Sequence, residues 1–165
     1  MIYEEKTIET IPVGPLGLVP LKSCTELGQK VNDYLVTWRH ERESEHKSTI
    51  AFAGYQRDSY ILKNKTPRFG SGEAKGTIEE SVRGDDLYIM VDVCNYSLTY
   101  SLCGMTNHMS PDDHYQDLKR IIAAAAGKAR RINVIMPFLY EGRQHKRSGR
   151  ESLDCALALQ ELVDM

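Results

Sequence analysis

The stretch "RINVIMPFLYEGRQHKRSGRES", residues 131–152, decides the fold. Residues 131–138 form a nearly continuous apolar run, the pattern of a strand buried on both faces of a parallel sheet. Directly after it, Arg143, His145, Lys146, Arg147 and Arg150 crowd among glycines. The chain then enters "ESLDCALALQELVDM" (151–165), where Leu153, Ala156, Leu157, Gln160 and Leu162 return on related helical faces. Upstream, "SPDDHYQDLKRIIAAAAGKAR" (110–130) carries a full helix signature. Ser110 caps it, Pro111 takes the first helical position, and Asp112 and Asp113 complement the positive end. Tyr115, Leu118, Ile121, Ile122 and Ala125 make one apolar face, and Gly127 marks the exit. With "DLYIMVDVC" (86–94) read as a strand, the order from residue 86 onward is β-α-β-α. That order predicts an α/β domain with a mainly parallel sheet flanked by helices.

Towards the N-terminus, "GLVPL" (17–21) reads as a strand and Ser23 as the cap of a helix through "CTELGQKVNDYLVTW". Leu27, Val31, Tyr34, Leu35 and Trp38 set that helix's apolar face. "RHERESEHKS" (39–48) mixes both charge signs without an apolar face, as a solvated helix end or loop does. Strands are expected in most of "STIAFAGY" (48–55), "DSYILKN" (58–64), "AKGTIEE" (74–80) and 86–94. No repeat or linker interrupts the chain, and one domain accounts for it.

The chain has 165 residues, 41% of them hydrophobic and 27% charged, enough for one globular domain with a core. A formal net charge of −2 argues against a protein that coats nucleic acid, so any basic chemistry is local. Cys24, Cys94, Cys103 and Cys155 are widely spaced, without a CxxC pair or histidines at ligand spacing, and read as reduced thiols. The acidic start "MIYEEKTIETIPVG" has no apolar signal core, and no run approaches the roughly 20 apolar residues of a membrane span. A cytoplasmic protein without a membrane segment is the expectation.

The basic loop 142–150 leaves the carboxyl end of a presumed parallel strand and leads into a helix, where ligands of open α/β sheets bind. Arg143, Lys146, Arg147 and Arg150 could gather a polyphosphate there, Arg offering paired hydrogen bonds to phosphate oxygens. A solvated surface loop and a nucleic-acid patch remain alternatives. Neither GxxxxGK[ST] nor GxGxxG occurs. "RFGSGEAKG" (68–76) has the glycine density of a hairpin turn or a flap. Ser101, His108 and Asp112 have no context for a nucleophilic triad. Asp85 and Asp86 read as a turn into a strand, and the five histidines as surface or hydrogen-bonded residues.

"TIEESVRGDDLYIMVDVCN" (77–95), the following helix and "RINVIMPFLYEGRQHKRSGRES" together resemble the N-terminal half of ribose-phosphate pyrophosphokinase. The resemblance is good over residues 60–165 and weaker over 14–36. It implies a phosphoribosyltransferase-like domain over 14–165 with a β-hairpin flap, 1–13 as an extension and 37–58 as an insertion. The family transfers diphosphate from ATP to ribose 5-phosphate with magnesium (Mg2+), making phosphoribosyl pyrophosphate for nucleotide synthesis, and works as a homo-oligomer. By the resemblance Arg143 and Gln144 contact ATP, while a neighbour's flap brings Phe69 to adenine and Ser71 and Glu73 to its edge. Ser81, Arg83, Asp86 and Arg150 match an allosteric phosphate or nucleoside-diphosphate site.

Three departures stand against the family pattern: Gly70 and Ser71 replace Ser and Asn/Asp, His145 replaces a commonly acidic residue, and the loop from Gln144 to Arg150 is one residue short. The family's metal-region and ribose-phosphate motifs do not occur in the chain. The expectation is therefore an N-terminal domain without its catalytic partner domain, inactive alone, with no catalytic or metal-binding residue of its own. The alternatives are a non-catalytic nucleotide-binding assembly partner of the synthetase and a nucleic-acid-binding domain.

Overall fold

The computed structural model describes residues 12–45 and 56–165. The strand expected over 48–55 lies outside the described residues, as does most of the 1–13 extension. The core is a parallel sheet of β1 (Leu16–Pro20), β4 (Asp86–Met90) and β7 (Arg131–Ile135), in the order β1-β4-β7. Ile61 bridges to Leu18 in parallel and extends the β1 edge by a single residue, so the strand expected over 58–64 is mostly irregular.

Alternation along the strands separates two apolar layers, because successive side chains point to opposite faces. Leu16 and Leu18 of β1 pack with Tyr60 and Tyr88 towards α1 (Thr25–Ser44). On the other face Val19, Leu87, Ile89 and Val91 meet Tyr115, Leu118, Ile121, Ile122 and Ala125 of α2 (Pro111–Ala125) and Ala158 of α3 (Asp154–Asp164). Leu118 and Ile121 are fully buried, each stabilising the fold by about 1.5–3 kcal/mol.

α2 follows its sequence signature closely. Ser110 Oγ accepts from Asp113 N while Asp113 reaches back to Ser110 N, a capping box with Pro111 behind it. Its exit differs slightly: Ala126, at φ 49°, takes the left-handed position ahead of Gly127.

Two expectations for α1 are corrected. α1 buries Gly28 and Asn32, with Val31 and Leu35 half-buried, and leaves Leu27, Tyr34 and Trp38 exposed. The helix lies so close to β1 that a Cβ on Gly28 would sit 2.5 Å from Pro20 Cβ, which turns the glycine face inward. A short 3₁₀ turn (Lys22–Cys24) precedes α1, so Ser23 is not its cap; Ser23 Oγ instead accepts from Asp92 N at 3.1 Å. α1 runs on through the charged residues to Ser44, so residues 39–44 are the solvated helix end expected of that stretch.

β7 is an edge strand among the described residues, with Arg131 and Ile135 exposed rather than buried on both faces. α3 turns Cys155 and Ala158 inward and leaves Leu157, Leu159 and Val163 exposed.

Two antiparallel pairs stand outside this sheet. β2 (Asn64–Lys65) pairs with β3 (Thr77–Ile78), the ordered part of the strand expected over 74–80. An Arg68–Ala74 bridge closes the flap turn beyond that pair. β5 (Thr99–Leu102) and β6 (Met105–His108) form a second hairpin that the sequence reading did not anticipate.

Candidate functional site

The loop after β7 grows from a stack of aromatic rings. Tyr140 lies on Tyr115 with ring centroids 4.2 Å apart and planes 7° from parallel, and its hydroxyl donates to Asp112 Oδ1 at 2.7 Å. Burial first, then the Asp112 hydrogen bond, pushes the Tyr140 phenol well above its usual range. The first turn of α2 thereby fixes the start of the loop.

Beyond Tyr140 the backbone folds tightly. Gly142 N donates to Leu139 O at 3.0 Å and Gln144 N to Glu141 O at 2.9 Å, with Glu141 at φ 54°. The Gln144 side chain points back into the loop, Nε2 donating to Ser152 O at 2.8 Å, while Gln144 O accepts from Cys155 N at 3.3 Å. Gln144 thus closes the loop on itself and ties it to the start of α3. Arg143, the neighbouring side chain, is exposed. It helps line a cleft of about 270 Å³ with Val93, Cys94, Pro111, Phe138 and Tyr140, at the carboxyl ends of β4 and β7 and beside the first turn of α2.

Arg143, Lys146, Arg147 and Arg150 are all exposed and have no acidic partner among the described residues. Four unneutralised cations on one short loop make a local positive field in a chain of net charge −2.

The flap residues come together on a separate turn. Phe69 N donates to Glu73 O at 2.7 Å, Gly72 N to Phe69 O at 2.9 Å, and Ser71 Oγ to Glu73 Oε2 at 2.9 Å. Phe69 is 54% exposed, an aromatic side chain open over about half its surface. Among the described residues no hydrogen bond or ion pair joins this turn to the Arg143 loop.

Of the residues matched to the second anion site, Ser81 and Arg83 share one exposed turn, Arg83 N donating to Ser81 Oγ at 3.4 Å. Asp86 is buried in β4, where Arg131 binds both its oxygens and Asn133 Nδ2 donates to Oδ1 at 2.9 Å. The Arg131 hydrogen bonds hold its carboxyl below the usual range, against the opposing effect of burial. Its carboxylate is thus committed to the sheet. No hydrogen bond among the described residues joins Arg150 to the Ser81–Arg83 turn.

Among the described residues no group of three or more His, Cys, Asp or Glu side chains could hold a metal ion. No described helix is long and apolar enough to cross a membrane.

The geometry defines a class: a three-layered α/β domain on a parallel sheet, presenting a cationic loop at the carboxyl ends of its strands. Residues 16–165 match the family described as the N-terminal domain of ribose phosphate pyrophosphokinase, and the chain belongs to that family. Its fold is similar to the crystal structure of phosphoribosylpyrophosphate synthetase from Mycobacterium smegmatis, with a TM-score of 0.59 and 22% identity. That match covers 90% of this chain and 39% of the synthetase chain, so this chain spans well under half of it. No curated protein matches the chain in a sequence comparison.

Arg68, Asp112, Asp117 and Tyr140 escaped the sequence reading, although they hold the flap and the loop in place. Asp112 was read only as a charge complementing the positive end of α2, and Tyr140 gave no signal beyond closing an apolar run. The Arg68–Asp117 pair spans 49 residues and no spacing rule connects it.

Proposed function

We propose that this chain supplies the nucleotide-binding half of a ribose-phosphate pyrophosphokinase. That enzyme moves the β,γ-diphosphoryl group of ATP to the 1-hydroxyl of ribose 5-phosphate. The observation that carries the reading is the 142–150 loop, whose four exposed cations have no acidic partner among the described residues, beside a cleft at the strand ends. A polyphosphate is the anion that such a spread of charge fits.

In this reading Arg143 meets the phosphates, and Gln144 fixes the loop so that Arg143 stays aimed. Phe69 stacks on adenine, and Ser71 and Glu73 read its edge. The separation of flap and loop into two turns supports a site shared between copies of the chain, each lending its flap to a neighbour's loop. Magnesium bound to the nucleotide phosphates would supply charge neutralisation during transfer, with Arg143 adding its own positive charge to the phosphates. Ser81, Arg83 and Arg150 serve a second phosphate or nucleoside-diphosphate site, with Asp86 acting through the sheet beneath.

Calorimetric titration with Mg-ATP tests the reading. Binding is expected, with inorganic tripolyphosphate competing and Arg143→Ala weakening it at least about ten-fold, the loss of a charged hydrogen bond. Flat ATP titrations alongside steeply salt-dependent RNA binding would sink it. The chain alone is expected to form no AMP from ATP in the presence of ribose 5-phosphate and magnesium; AMP formation in a coupled assay would refute that part.

A further inference from the structure

We propose that Arg68 is a positioning residue which, with Asp117 of α2, holds the flap turn 69–73 in the posture that presents Phe69, Ser71 and Glu73. The inference rests on the nucleotide reading above and deepens it.

The Arg68 side chain is only 11% exposed and spreads over both elements it joins. Nη2 donates to Asp117 Oδ2 at 3.0 Å, and Nη1 donates to Gly72 O at 3.2 Å, inside the flap turn between Ser71 and Glu73. Asp113 Oδ1 lies 3.8 Å from Nη1, and the guanidinium sits 4.8 Å from the ring centroid of Tyr100 on β5. One planar group therefore ties the turn to α2 and to the β5–β6 hairpin.

Its anchor is itself fixed. Asp117 is 5% exposed, and its other oxygen accepts from Arg120 Nη1 at 2.6 Å. Asp113 also belongs to the capping box of α2. At the base of the flap, a Cβ on Gly76 would lie 2.5 Å from Arg120 O, so the chain runs directly against the helix backbone there.

The turn's other tie to the body of the domain is to the β5–β6 hairpin, where Cys103 N donates to Gly70 O at 3.0 Å and Gly72 lies against Leu102, whereas Arg68 supplies the tie to α2. Phe69, Gly70, Ser71 and Glu73 are exposed, and only Gly72 is half-buried. Apolar burial therefore contributes little to its posture. A desolvated ion pair adds little net stability compared with well-packed apolar side chains, but it fixes direction, because a planar fork accepts few geometries.

The test is amide hydrogen exchange on the 165-residue chain and its Arg68→Gln, Arg68→Lys and Asp117→Asn variants, with nucleotide titrations in parallel. Phe69 and Gly72 amides are expected to exchange at least about ten-fold faster in Arg68→Gln and Asp117→Asn, while Leu118 and Ile121 amides of α2 are unchanged. Arg68→Lys, which keeps the charge but loses the fork, should recover part of the protection. The preference for ATP over GTP is expected to fall by at least about ten-fold, with tripolyphosphate affinity unchanged because that probe has no base. Unchanged exchange at Phe69 and Gly72 overturns the proposal, and so does an equal loss of protection at Leu118, which would make Arg68 a general support of the fold. Faster flap exchange in a chain that binds no nucleotide upholds the clamp and counts against the nucleotide reading instead.

Discussion

Arg131 grips Asp86 through two nitrogens, Nε to Oδ1 at 2.8 Å and Nη2 to Oδ2 at 2.6 Å, across register partners of β7 and β4. Among the described residues β7 is the edge strand that launches the cationic loop from its carboxyl end, and this pair ties the opposite, first end of β7 to β4, the central strand. Asp86 is buried and Arg131 half open to solvent, so removing the carboxylate leaves a cation that water can still reach.

That geometry sets a pH dependence. The folded carboxyl titrates below its unfolded value of about 3.9, so its contribution is complete above that pH and is lost as pH falls through the lower folded value. Wild-type stability should therefore drop below about pH 4, and Asp86→Asn should flatten that slope. At neutral pH the variant is expected to be about 1–3 kcal/mol less stable in urea unfolding. An acid slope that survives the substitution would show that the pair does not anchor β7.

The neighbours Arg143 and Gln144 should separate cleanly. Arg143 is exposed and has no acidic partner among the described residues, so Arg143→Ala is expected to change stability by no more than about 0.5 kcal/mol while weakening phosphate binding. Gln144→Ala removes the bond to Ser152 O, about 1 kcal/mol, and should speed hydrogen exchange over residues 146–152. Equal effects of the two variants on loop exchange would contradict the division of aim and anchor.

The parts legible in the sequence were those whose signals are local. α2 could be read because Ser110, Pro111 and Asp113 encode its start within four residues and its apolar face keeps one period. The α1 face could not, because what turns inward is Gly28 and Asn32. Asn32 Oδ1 accepts from Tyr60 N at 2.8 Å, a polar contact 28 residues away that periodicity of apolar residues cannot find. The β5–β6 hairpin was missed because its two-residue turn uses Cys103 at φ 50° ahead of Gly104 at φ 80°. Cysteine is no turn signal, although the geometry is that of a hairpin turn with both central residues left-handed. Motif order pointed to Arg143, Gln144 and the flap, whereas the partners that hold them come from α2, the start of α3 and the loop itself, and depend on tertiary packing.

The cysteines offer a check on the layers. Cys94 and Cys103 are exposed, Cys24 and Cys155 buried, and burial followed by the charge of Asp92 pushes the Cys24 thiol up to about 11. A thiol-reactive dye should label two sites rapidly at pH 8 and the other two only on unfolding, since the thiolate is the reactive form. Fast labelling at Cys24 would mean that the turn between β1 and α1 is not packed as described.

The tyrosine stack predicts the alkaline side. Burial, then the charge of Glu161, pushes Tyr115 up to about 12, and its hydroxyl donates to Ala158 O at 2.6 Å. Tyr140 is raised in the same direction by burial and Asp112. For groups raised in the folded state, the stabilising contribution is complete below the unfolded phenol value of about 10 and is lost as pH rises through the folded value. Absorbance at about 295 nm should show both phenols still protonated near pH 11, with their ionisation coupled to unfolding. Tyr140→Phe keeps the ring stack and loses only the bond to Asp112, so a cost of about 1 kcal/mol is expected, with the acid slope assigned to Asp86 unchanged. If Tyr140 instead ionises as a free phenol without unfolding, Asp112 does not fix the start of the loop, and the aim of Arg143 must come from Gln144 alone.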